Sequence, residues 1–237
     1  MNLHYKRILV KISGEQLAGE SGRGFDATIA ARIAEEIKPL IELGVQVVVM
    51  VGGGNLVRGN DVAGGGIELS TAHFMGMVAT MINGLAVTDV FNANGLPSRS
   101  ATTIQADLVA DFYTRRRALH HLSKGRVLVQ IGGTGKPYVT TDTAAVTLAL
   151  DLDCDVVCKI TKVDGVYDKD PVKFPEAKKF ETLSFAEAVG NPHIKVMDKA
   201  ALGLAMENNK KIVVCDLKTP GHLRRLVVGE KIGTLIS

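Results

Sequence analysis

The sequence predicts an α/β fold, a mostly parallel sheet covered by helices on both faces in a three-layer sandwich, and three observations carry that reading. Short apolar runs alternate with longer stretches of helical spacing from one end of the chain to the other. The run Val45–Val51 is apolar on both faces, as a strand buried between two helical layers must be. Glycine clusters follow directly on several strand runs, where an open α/β sheet keeps its ligand loops.

The elements follow in order from periodicity and punctuation. Arg7–Ile12 reads as a strand, and Ile29–Leu43 as an amphipathic helix stopped by Gly44. After the buried strand Val45–Val51, the spacing of Met, Val, Ile and Leu predicts a helix over His73–Phe91. A second helix is expected over Ala106–Leu122, ended by Ser123–Lys124–Gly125. Strand Arg126–Ile131, helix Thr143–Leu152 and strand Asp155–Ile160 come next. The last third gives helix Lys199–Glu207, strand Ile212–Leu217, helix His222–Val228 behind Pro220, and the short strand Thr234–Ile236. No linker, repeat or low-complexity segment divides this series, so residues 1–237 are expected to form a single domain.

Composition excludes several classes of function. With 28 Lys+Arg against 25 Asp+Glu the net charge is only +3, too weak to argue for nucleic acid or a membrane surface. At 46% hydrophobic and 22% charged the chain is ordinary for a folded domain. A domain of 237 residues buries roughly 70–75% of its unfolded surface. The longest apolar run is far short of the roughly 18 residues of a membrane span, and no secretory segment fits the N-terminus. Cys154, Cys158 and Cys215 are an odd number without zinc-type spacing, as expected of free thiols in a reducing cytoplasm. His120–His121 beside Arg115–Arg117 are expected on a solvated helix face.

The chemistry is expected at three glycine loops just past strands: Ser13–Gly14, Gly52–Gly53–Gly54 and Gly132–Gly133–Thr134–Gly135. Glycine there lets backbone N–H groups approach phosphate oxygens without a Cβ clash. None of the loops matches the P-loop or the dinucleotide fingerprint. Lys11 stands one residue past the first strand's apolar run and three before Gly14, where its ammonium can follow a moving phosphoryl group. Arg58, four residues past Gly54, can clamp an anion. Hydroxyls and amides from Thr134 to Thr141 suit a phosphate or a base edge, and Asp142 opens the following helix, where N-capping is its ordinary role. In the loop after Lys159, an adenine can stack on Tyr167 while Asp170 accepts from ribose hydroxyls; an Asp-rich turn ended by Pro171 is the simpler alternative.

Taken together, Lys11–Ile–Ser–Gly–Glu15, Gly52–Gly–Gly–Asn–Leu–Val–Arg–Gly59, Gly133 to Asp142 and Thr161–Lys–Val–Asp–Gly–Val–Tyr167 resemble the successive signatures of the bacterial uridylate kinases, of the amino-acid-kinase fold. Lys195–Val–Met–Asp198 and Gly229–Ile236 resemble that family too, so the match runs in order over nearly the whole chain. The resemblance implies transfer of the γ-phosphoryl of ATP to UMP, giving UDP for pyrimidine nucleotide synthesis, with Mg²⁺ accompanying ATP. It places Lys11, Ile12, Ser13, Gly14, Gly54 and Arg58 on the ATP phosphates, and Thr161, Tyr167 and Asp170 on its nucleoside. Gly53, His73 and Thr134, Gly135, Lys136, Pro137, Tyr138, Val139, Thr140 and Thr141 fall to UMP. Lys11, Asp142 and Asp198 take the catalytic positions, Asp142 orienting the lysine, with no metal-ligating residue assigned. The segment Gly19, Glu20, Ser21, Gly22, Arg23, Gly24 matches one that responds to GTP. A cytoplasmic homohexamer inhibited by UTP is implied as well.

Two positions depart from the family, both on the acceptor side. His73 stands before Met75–Gly76–Met77 where the family has an aspartate that holds the UMP ribose, and Lys136 where Asn is commoner. Two other readings use the same residues: a kinase of this fold acting on a carboxylate or another small phosphate, and a nucleotide-binding regulatory or storage protein without turnover.

Overall fold

The computed structural model describes residues 3–191, 194 and 196–237; Lys195, at the head of one family-like stretch, lies outside them. In chain order the strands are β1 (Arg7–Ile12), β2 (Gln46–Val51), β3 (Ser98–Thr102), β4 (Asp111–Phe112), β5 (Val127–Ile131), β6 (Val156–Ile160), β7 (Val166–Tyr167), β8 (Lys179–Phe180), β9 (Thr182–Leu183), β10 (Ile212–Cys215) and β11 (Thr234–Ile236). The helices are α1 (Gly14–Leu17), α2 (Ala27–Glu42), α3 (Gly59–Val62), α4 (Leu69–Ala93), α5 (Arg115–Ser123), α6 (Thr141–Asp151), α7 (Phe185–Gly190), α8 (Lys199–Glu207) and α9 (His222–Val227).

Among the described residues nine strands form one sheet, ordered β4-β3-β5-β2-β1-β6-β10-β11-β9. Its pairings are parallel except β10 with β11. Strand β1 explains the layering. Ile8, Val10 and Ile12 point to one face and meet the apolar stripes of α2, α4 and α9. Leu9 points to the other, into a core built with α5, α6, α7 and α8. Both faces are covered, so the central strands are mostly apolar, with Lys11, Gln130 and Lys159 as the polar exceptions near their carboxyl ends.

The expected helix Ala106–Leu122 is corrected. Ala106–Ala110 is a tight turn, with Val109 N–H on the Ala106 carbonyl at 2.8 Å, and the chain then extends to pair β4 beside β3. The helix starts only after Thr114, whose hydroxyl accepts from Arg117 N–H and caps it. Apolar spacing carried across this cap misled the pattern. Strand β3 had no apolar signature because Ser98 and Thr102 are fully buried polar residues that satisfy themselves locally, Ser98 Oγ on the Leu96 carbonyl and Thr102 Oγ1 on that of Ile104. Lys11 lies within β1, inside the expected span Arg7–Ile12, so the strand continues past the apolar run that precedes the lysine.

Helix α4 is 25 residues long, with a mean hydropathy of 1.5 over its most apolar 18-residue window. Half of that window is buried, against α2, β2, β3 and β5, as in a core helix. The three cysteines are free and buried.

Candidate active site

The site is built on a strand register. In parallel neighbours, paired residues point to the same face. Lys11 of β1 pairs with Met50 of β2 on one side and Lys159 of β6 on the other. Two ammonium groups therefore project side by side from the sheet's carboxyl end toward the start of α6. Helix α6 is capped by Thr140, whose hydroxyl accepts from Asp142 N–H at 3.1 Å and Thr143 N–H at 3.3 Å. This frees the Asp142 carboxylate, expected at the cap, to reach back to the sheet. It sits between both lysines, Oδ1 at 2.5 Å from Lys11 Nζ and Oδ2 at 2.6 Å from Lys159 Nζ.

All three groups are largely withdrawn from solvent, with side-chain exposures of 7% for Lys11 and 14% for Asp142 and Lys159. Burial pushes the Asp142 carboxyl up, but the charges of Lys11 and Lys159 outweigh it and hold it below the usual carboxylate value. Burial first, and the charge of Lys11 besides, keep the Lys159 ammonium below the usual lysine value against the pull of Asp142. Of the three, Lys11 lines the cleft, while Lys159 stands behind it under the added pull of Asp198.

Asp198, a predicted catalytic position, lies behind this row. It caps α8 through Ala201 N–H at 2.9 Å and accepts from the hydroxyls of Thr140 and Thr143, the latter at 2.9 Å. It thereby ties the start of α6 to α8, while the adjoining Val196 carbonyl accepts from Lys159 Nζ. Lys159 carries no role in the sequence reading. Its signal was present: Lys–Ile closes both β1 and β6, and a lysine deep in an apolar strand calls for a partner.

Two glycine loops close on each other beside Lys11. A Cβ on Gly14 would lie 2.4 Å from Asn55 Oδ1 and 2.7 Å from Gly54 N, and one on Gly53 would lie 2.7 Å from the Gly76 carbonyl in α4. Their contact rests on a reciprocal amide pair, Asn55 Nδ2 to Asn83 Oδ1 at 3.0 Å and Asn83 Nδ2 to Asn55 Oδ1 at 2.6 Å. At the mouth, exposed Arg58 pairs with Glu15.

The third loop follows β5. Gly132, Gly133 and Gly135 take positive φ, and so does Tyr138 at +66°, a conformation that side chains resist. Tyr138 N–H donates to His73 Nδ1 at 2.9 Å, and the two rings meet edge to face at 4.8 Å. The three loops and α4 enclose a cleft of about 690 Å³. It brings together Lys11, Ser13, Gly14, Gly53, Gly54, Arg58, His73, Lys136, Tyr138, Val139, Thr140 and Thr141, and adds Glu15, Asp61 and Thr80. Thr134, Gly135 and Pro137 belong to the same loop without lining the cleft.

A second cavity of about 1050 Å³ lies between the start of α2 and the loops after β6 and β10. Ile12, Gly19, Glu20, Ser21 and Thr161 line it. Gly22 and Arg23 do not, and Gly24 is held by Asn55 Nδ2 on its carbonyl at 2.5 Å. Tyr167 and Asp170 line neither space. Tyr167 donates its hydroxyl to Asp164 at 2.6 Å, and that bond followed by burial pushes the phenol up to about 12. Exposed Asp170 accepts from Val172 N–H at 3.0 Å, as in an Asx turn. Among the described residues no three His, Cys, Asp or Glu side chains are grouped to hold a metal ion.

The cleft thus sets the fixed ammonium of Lys11 beside two glycine loops, with Arg58 and Lys136 on its wall, a lining suited to an anion. The amino acid kinase family model matches residues 6–216. UMP kinase from Bacillus anthracis is 37% identical, with a TM-score of 0.92, over 98% of this chain and 96% of its own. UMP kinase from Ureaplasma parvum is 31% identical over 98% of each chain, with a TM-score of 0.88. Uridylate kinase from Archaeoglobus fulgidus is 26% identical, covering 97% and 99%, with a TM-score of 0.69. With the match spanning the whole row from Lys11 to Lys159, this chain belongs to the amino acid kinase family.

Proposed function

We infer that this chain is an ATP-dependent UMP kinase, transferring the γ-phosphoryl of ATP to UMP to give UDP. The observation that carries it is the Lys11–Asp142–Lys159 row facing a glycine-lined cleft, in a chain 37% identical to a UMP kinase. Phosphoryl transfer needs positioning and charge neutralisation more than covalent chemistry. An acceptor phosphate is mostly ionised at pH 7, so no strong general base is required. Lys11 neutralises charge on the transferring group, Asp142 fixes both lysines, and Asp198 fixes Asp142's helix.

The division of the cleft follows the resemblance. Ile12, Ser13, Gly14, Gly54 and Arg58 take the ATP phosphates, with Thr161, Tyr167 and Asp170 toward its nucleoside. Gly53, His73 and Thr134–Thr141 take UMP. Asp142 and Asp198 are already engaged by lysines and hydroxyls, which supports Mg²⁺ arriving as part of the substrate MgATP, held by phosphates rather than by a protein cage. Exposed Phe74, Met75, Val78 and Ile82 form an apolar stripe along α4, which supports a homo-oligomer, hexameric by resemblance. Gly19, Glu20 and Ser21 border the second cavity, which supports a GTP-responsive role for Gly19–Gly24; feedback by UTP and a cytoplasmic location belong to the same proposal.

The test is ADP release from MgATP across a panel of nucleoside monophosphates and small carboxylates. UMP turnover well above all others is expected. Preference for a carboxylate identifies a same-fold kinase, and binding without turnover identifies a regulatory or storage protein.

A further inference from the structure

His73 occupies a position where its own bonding decides its chemistry. Its Nδ1 accepts the Tyr138 N–H at 2.9 Å, so that nitrogen carries no proton, and in the neutral ring the proton sits on Nε2. With Nδ1 taken by Tyr138, the neutral ring keeps no acceptor. It cannot accept a ribose hydroxyl, as an aspartate would. The ring is also fixed in place: a Cβ on Gly59 would lie 2.9 Å from its Cδ2, and Tyr138 packs edge-on at 4.8 Å. Tyr138 itself sits at φ +66°, a strained value for a residue with a side chain, at a cost of order 1–3 kcal/mol. Such a conformation persists only when something holds it, and the bond to His73 spans from α4 to the loop after β5.

We propose that His73 is a positioning residue of the acceptor side, whose unprotonated Nδ1 latches Tyr138 and so sets the conformation of the Gly133–Thr141 loop. Protonation of the imidazole turns the acceptor into a donor facing another donor, and the latch opens. The charged groups lining the same cleft are Glu15 and Asp61 against Lys11, Arg58 and Lys136. Within α4, no other titratable side chain lies between Leu69 and Met77.

The proposal rests on UMP being the acceptor, and the experiment separates the two. The KM for UMP is measured from pH 5.5 to 8 in the wild type, His73→Asn and His73→Gln. Asn offers an acceptor near the Nδ1 position at every pH, whereas Gln offers one near Nε2, out of reach of Tyr138. The wild-type KM should rise as pH falls, and His73→Asn should flatten that rise. His73→Gln should raise KM at pH 8 by roughly 3- to 10-fold, the usual effect of one lost hydrogen bond. The reverse order, Gln restoring and Asn failing, assigns a direct substrate contact through Nε2 and overturns the latch, as does a pH-independent wild-type KM. A second readout needs no substrate. The chain has four tyrosines, so selective ¹⁵N-tyrosine labelling resolves the Tyr138 amide. Its resonance should titrate in the wild type and stand still in His73→Asn. Titration without UMP turnover upholds the latch and sinks the acceptor assignment; UMP turnover with an unmoving amide does the opposite.

Discussion

Asp142 is buried, charged and shared, which makes it the most sensitive residue of the site. Removing it as Asp142→Ala leaves two ammonium groups confronting each other out of solvent, and a cost of about 3–5 kcal/mol is expected in urea denaturation. Its carboxyl is held below the ordinary value, so its contribution to stability is present above about pH 4 and lost as pH falls through the lowered value. Asp142→Asn should abolish that part of the acid sensitivity. Lys11 answers differently. Lys11→Met should lower kcat by about 10²–10⁴-fold, the usual effect of losing one preorganised electrostatic contact, with far less change in KM for ATP. Steady-state kinetics on purified Lys11→Met checks this, and wild-type turnover would remove Lys11 from the reaction. Asp170→Asn is expected to raise KM for ATP and leave that for UMP nearly unchanged. A larger move in the UMP constant would reverse the two subsites.

At the scale of elements, the loops depend on how closely glycines let backbone meet helix. Gly53→Ala would set a methyl 2.7 Å from the Gly76 carbonyl and 2.8 Å from Ala79 Cβ. Destabilisation of about 1–3 kcal/mol is expected from that overpacking, read as a lower thermal midpoint. Glycines of this kind are visible in a sequence because they cluster after strands, which is why all three loops were legible. The strands β1, β2, β5 and β6 and the helices α2, α4, α6 and α8 were legible too, since each carries enough apolar residues to declare its period. Strand β3 was not, because buried Ser98 and Thr102 bond to nearby carbonyls and, with Ser100 between them, give no apolar rhythm. The two-residue strands β7 and β8 and the one-turn helices α1 and α3 are too short to show any period. For the site, Lys11 and Asp142 were legible through motif spacing, whereas the repeated Lys–Ile marked Lys159 as needing a partner without naming it, because the pairing depends on register between neighbouring strands.

At the scale of the molecule, the exposed stripe on α4 is continuous with the helix that carries His73 and walls the cleft. Replacing Ile82, 55% exposed, by Glu should shift sedimentation from an oligomer to a smaller species if that face is where copies meet. The row at the sheet's carboxyl end has a consequence of another kind. Beside the row, Lys11, Arg58 and Lys136 line the cleft against Glu15 and Asp61, so its wall carries a net positive charge. A multivalent anion that binds only the native state restores the balance and must raise the unfolding free energy, by about 2.7 kcal/mol at a hundred times its dissociation constant. Pyrophosphate should therefore raise the thermal midpoint well beyond what chloride does at equal ionic strength. Nucleotide then acts as a missing counterion of the native protein as well as its substrate, and heat resistance should follow the cell's phosphate-ester pool.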